Sequence, residues 1–199
     1  SLGKAITNIG SHAFSGCSQL RELPIPDTVT SLGAGAFASC QNLEAIIIPE
    51  GIKHTISTSA DTEAASTLSP FHGCSGLRKV TIMVPMTNGN HTRWIHDEAL
   101  GTTGITEVIF GEGVTAIGGD TFRDCSTLET IVFPGSLTTI DSGAFRGCRN
   151  LKQLSLPASL SSVGNSVFRE CTGLQTIELP SAITAIADQL FMDLSLIHI

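Results

Sequence analysis

"LETIVFPGSLTTIDSGAFRGC", residues 128–148, is followed after two residues by "LKQLSLPASLSSVGNSVFREC", residues 151–171. The two stretches carry Leu, two apolar residues spaced by one, Pro, Leu, a branched apolar residue, Phe and Cys at the same places, 23 residues apart. A period of this length is the mark of a repeat architecture, in which each unit is one supersecondary element. Working outward, the Phe place is held by Phe14, Phe37, Phe71, Phe122, Phe145, Phe168 and Phe191. Cys17, Cys40, Cys74, Cys125, Cys148 and Cys171 each lie three residues after their Phe, which accounts for all 6 cysteines. Leu20, Leu43, Leu77, Leu128, Leu151 and Leu174 lie three further on.

A further unit lies between Phe71 and Phe122, where Leu100 takes the Phe place, Thr102 lies near the Cys place and Ile105 takes the Leu place. This makes eight coils, with insertions at about 53–70 and 84–94. Within a unit, L-x-x-L-x-L ends in the alternation of a short strand. Pro26, Pro49, Pro134, Pro157 and Pro180 follow it directly, where a missing N–H and a locked φ end a strand. Every copy runs in the same direction, so the strands of successive coils form a parallel sheet.

These residues resemble the BspA-like class of leucine-rich repeats, whose units read roughly C-x-x-L-x-x-I-x-x-P-x-x-L-x-x-I-x-x-x-A-F. Gly111 in place of the Pro, Leu194 in place of the last Cys, and the two insertions depart from that pattern. The resemblance implies a solenoid with a curved parallel β-sheet on its concave face and short helical or irregular convex segments. It also implies a protein of the cell surface or a secreted one, of the kind bacteria and some parasitic protists use for adhesion to host proteins or other cells.

The chain of 199 residues shows no linker, so 1–199 is expected to form a single solenoid. It enters mid-unit at Ile6 and Ile9 and shows no polar cap, and the expectation is a fragment of a longer chain. One coil cannot stand alone. Its seven or so apolar side chains gain on the order of 10 to 20 kcal/mol on burial, against roughly 1 to 2 kcal/mol for each of its backbones fixed. Stacking supplies the difference. No apolar run approaches the roughly 18 residues of a membrane helix, so no membrane insertion is expected in this segment. A net charge of −7 with scattered Lys and Arg argues against nucleic acid as a partner.

The sequence offers little catalytic chemistry. G-x-S-x-G, P-loop and H-E-x-x-H patterns are absent, and the expectation is a non-enzyme with no cofactor and no metal. His91, His96, Asp97 and Glu98 gather in the second insertion, but their spacing fits no helical ligand motif, and Ile95 and Leu100 are required by the repeat as core residues. Trp94 in that insertion is a candidate loop anchor for a partner, or a cover for a coil edge. Asn90 fits a glycan-acceptor pattern. Equivalent cysteines in adjacent coils would lie within reach of a disulfide. The preferred reading is a buried thiol used as a small apolar filler, since Leu194 takes the same place.

What remains is the outward side of the strands. One column would hold Glu22, Ala45, Lys79, Glu107, Thr130, Gln153 and Thr176, and the other Pro24, Ile47, Thr81, Ile109, Val132, Ser155 and Glu178. Ile47, Ile109 and Val132 around Thr81 would make an apolar strip with polar ends, which suits a protein-binding surface. The same residues are also good strand formers in their own right. The candidate contact residues on this face are Ile47, Thr81, Ile109, Val132, Glu107, Thr130, Gln153 and Ser155. The leading expectation is a non-catalytic interaction or adhesion module that binds a protein or glycan, host or matrix protein among them. The alternative is a spacer that displays another domain and has no ligand on this segment.

Overall fold

The computed structural model describes residues 2–52, 54–55, 70–83 and 104–194. Asn90, His91, Trp94, Ile95, His96, Asp97, Glu98, Leu100 and Thr102 lie outside them, as does most of both insertions. The expected coil built on Leu100, fourth in chain order, is therefore described only from residue 104 onward.

The described strands all pair in parallel, one coil on the next. Ala45–Ile48 (β3), Lys79–Ile82 (β5), Glu107–Phe110 (β6) and Thr130–Val132 (β8) form a four-stranded sheet in that order. Gln153–Leu154 (β10) and Thr176–Ile177 (β12) pair at the same place in later coils. The register is that of the repeat: Ile46 faces Val80, Val80 faces Val108 and Val108 faces Ile131. These four are buried, and so are Ile48, Ile82 and Phe110 in the next inward column.

Among the described residues, six coils also carry a second short strand after the turn that ends the first, whereas the coil that follows Pro180 has none. Asn8–Ile9 (β1), Ser31–Leu32 (β2) and His54–Thr55 (β4) pair in one set. Ala116–Ile117 (β7), Thr139–Ile140 (β9) and Ser162–Val163 (β11) pair in another. Around them, hydroxyls tie each coil to the one before. The Ser136 hydroxyl donates to the Val114 carbonyl and the Ser159 hydroxyl to the Leu137 carbonyl, at 2.9 and 2.6 Å.

The segment around each Phe is a run of tight turns, and no helix occurs among the described residues. The residues two before and two after the Phe sit in the left-handed region in coil after coil. Asp120 and Asp124 flank Phe122 at φ 53° and 60°, and Gly143 and Gly147 flank Phe145 at 69° and 75°. Ser166 and Glu170 do the same for Phe168, at 58° and 62°. A left-handed residue with a Cβ costs about 1 to 2 kcal/mol. The return is that alternate amides turn along the stack: those of Asp120, Phe122 and Asp124 donate to the carbonyls of Ser142, Ala144 and Arg146 at 3.0, 2.8 and 2.6 Å. The intervening amides of Arg123 and Cys125 close turns onto Asp120 and Phe122. A regular helix would spend these donors on itself and leave nothing for the neighbouring coil.

The Phe rings form a stack through the core. Phe14, Phe37 and Phe71 follow one another at 5.4 Å with planes 7° and 11° apart. Phe122, Phe145, Phe168 and Phe191 continue at 5.4, 6.1 and 6.3 Å, all nearly parallel. Phe110 and Phe133 stack beside them at 6.1 Å and meet Phe122 and Phe145 edge-on. Such pairs lie in the favourable range of ring separation.

Candidate functional site

The outward side chains of the sheet fall in the two columns expected from the repeat. Ala45, Lys79, Glu107 and Thr130 are successive partners in one, and Ile47, Thr81, Ile109 and Val132 in the other. In the later coils Gln153 faces Thr176. Thr130, Gln153 and Ser155 are exposed.

Ile47 and Val132 are the apolar points of this face, 55% and 44% exposed. Ile109 differs from expectation, since it is half-buried, as is Thr81. The reason is its place on an inner strand, where Thr81 and Val132 flank it on both sides, whereas Ile47 and Val132 lie on the outer strands of the four. Beside the strip, the Lys79 ammonium lies 3.0 Å from the Glu107 carboxylate. That cross-strand pair is a partly exposed one of small energy, and it leaves the middle of the face electrically neutral.

The turn side offers a poorer surface. Its charges satisfy one another: the Glu170 carboxylate takes Arg146 at 3.0 Å, Arg169 at 3.3 Å and Arg149 at 3.7 Å. Arg123 lies between Asp120 and Asp124, at 3.7 and 3.4 Å.

The cysteines have a structural task that spacing alone did not disclose. The Cys40, Cys74, Cys148 and Cys171 thiols donate to the carbonyls of Phe14, Phe37, Phe122 and Phe145, each in the preceding coil, at 3.0 to 3.2 Å. Each of these carbonyls also accepts the amide of the Cys in its own coil, so both of its lone pairs are used. A plain apolar filler would leave one buried lone pair unused, which is why Cys suits this place better than Ala. Burial pushes the Cys74 and Cys171 thiols up to about 12, raises Cys148 well above the ordinary thiol value, and raises Cys40 as well. Thiols held so firmly protonated are poor nucleophiles and poor metal ligands. Cys17 is the exposed member. Among the described residues no three metal-ligating side chains gather, and no helix is long and apolar enough to cross a membrane.

The sequence pattern of the BspA type leucine-rich repeat region matches residues 1–90 and 93–199. The chain belongs to the BspA-type leucine-rich repeat family. Its parallel strands and one-coil-per-unit register are those of a leucine-rich repeat solenoid. A leucine-rich repeat protein of Eubacterium ventriosum ATCC 27560 shares the fold, with a TM-score of 0.67 at 20% identity over 92% of this chain and 44% of that one. A leucine-rich cell surface protein of Faecalibacterium prausnitzii A2-165 is 29% identical over 86% of this chain and 42% of its own, with a TM-score of 0.51. The leucine-rich repeat chain thus spans less than half the length of either relative. No curated protein matches it in sequence. BspA-type repeats are typically non-catalytic, and membership of the family points to a protein-interaction module.

Proposed function

We propose that residues 1–199 work as one continuous solenoid in a cell-surface or secreted protein, binding a polypeptide partner through the outward strand face and serving adhesion. The observation that carries this reading is the pairing of exposed Ile47 and Val132 with half-buried Ile109 and Thr81 on one rigid sheet, in a surround of polar side chains. The Faecalibacterium prausnitzii relative, a cell surface protein, supports the location.

Between the two partner classes, the face favours polypeptide over glycan. Sugar rings are gripped by stacking on aromatic side chains, and neither outward column contains one. Trp94, a candidate anchor in the sequence, belongs to an insertion outside the described residues.

The test is the Ile47→Ser/Val132→Ser double variant, assayed for binding to immobilised extracellular matrix proteins and to whole cells. Covering these half-exposed side chains gains on the order of 1 kcal/mol each, so the variant should bind about 30-fold more weakly. Both side chains are exposed, and the circular dichroism spectrum should be that of the wild type. Unchanged binding by the folded variant would leave the spacer as the correct description.

A further inference from the structure

Toward its C-terminal end the outward face changes character. There the strands β10 and β12 border an open depression of about 620 Å³, lined by Gln153, Ser155, Thr176 and Glu178 together with Leu156. Glu178 is exposed and, among the described residues, has no ion-pair partner. This sets it apart from Glu107, whose charge is met by Lys79 on the same face. By the 23-residue register of the repeat, Val132, Ser155 and Glu178 belong to one column, which sets Glu178 two coil spacings from the apolar strip. At about 4.8 Å per coil this is on the order of 10 Å, the span of about three residues of extended peptide laid along the stack.

Three features select the ligand chemistry. A lone carboxylate among neutral amide and hydroxyl groups favours a cation and opposes an anion. A single carboxylate is too few for a hard metal ion, which needs several oxygen ligands. The hydroxyls of Ser155 and Thr176 and the amide of Gln153 can accept the further N–H bonds that an ammonium or guanidinium presents. We propose that this depression is a subsite for a Lys or Arg side chain of the polypeptide partner, whose neighbouring apolar side chain covers Val132. The assignment rests on the reading of the outward face given above and adds the partner's charge and the direction in which it lies.

The experiment is selection of a displayed random-peptide library on the whole chain, run in parallel on the wild type, Glu178→Gln and Ile47→Ser/Val132→Ser. Wild-type selection should enrich Lys or Arg two to four residues from Leu, Ile, Val or Phe, and selection on Glu178→Gln should lose the basic residue while keeping the apolar one. A peptide taken from the wild-type pool should bind Glu178→Gln about two- to five-fold more weakly, the range for a rim charge pair, and the difference should vanish at high salt. Persistence of the basic preference in Glu178→Gln, or enrichment of acidic peptides, overturns the subsite while leaving the face as a binding surface. Peptides that bind all three proteins alike, or no enrichment with capture of glycans instead, overturn both.

Discussion

The buried thiols make the stability of this solenoid fall on the alkaline side, and the size of the fall can be worked out. Cys74 and Cys171 are fully buried, and their thiols titrate at about 12, against 9.0 for an open thiol. A group raised in the folded state holds its proton there after the unfolded chain has lost it. The stabilising contribution is therefore complete below pH 9, and it is lost as the pH climbs from 9 toward 12. One pH unit is worth about 1.4 kcal/mol per thiol, so between pH 8 and pH 10 these two cost the fold about 2.7 kcal/mol, with Cys148 adding in the same direction. Tyrosine, which titrates near pH 10, adds nothing in this window, since the chain has none. Urea denaturation followed by far-ultraviolet circular dichroism, under reductant, would show the midpoint moving to lower urea between pH 8 and pH 10. The Cys74→Ala/Cys171→Ala variant should be less stable at pH 8, since two Phe carbonyls lose a donor, yet it should show a flatter dependence on pH. Equal slopes for the two proteins would refute the argument that these thiols are held protonated by the fold.

Gly147 has a φ of 75°, and a Cβ placed there would meet the Asp124 carboxylate of the preceding coil, so Gly147→Ala should lower stability by about 1 to 3 kcal/mol in urea denaturation. Gly135→Ala, where a Cβ would meet nothing within 4 Å, should change the midpoint little by comparison. Phe145→Ala removes a fully buried ring that touches Phe122, Phe133 and Phe168 and should cost about 3 to 5 kcal/mol. The same change at Phe191, which is half-buried and stacks only on Phe168 among the described rings, should cost less, and equal midpoints for the two variants would count against the ring stack as a packing column.

The sequence alone determined the period, the strand in the units from Leu43 onward, the parallel direction and the outward partners from Ala45 and Ile47 to Thr130 and Val132, while residues 21–26 of the first unit form no strand. These follow from rules of short range: side chains alternate across a strand, proline ends it, and copies of one unit stack in one register. The tertiary structure decided the rest. Asp124 and Glu170 adopt left-handed backbone because their amides find carbonyls in the next coil, and nothing in the local sequence marks either residue for it. Cys occupies its place because a Phe carbonyl of the coil before needs a second donor, a requirement invisible 26 residues away. Ile109 is half-covered and Ile47 is open although both are isoleucines in the same column, since exposure depends on which strands stand beside them. Pattern along the chain specifies which way a side chain points; what it meets there is set by the neighbouring coil.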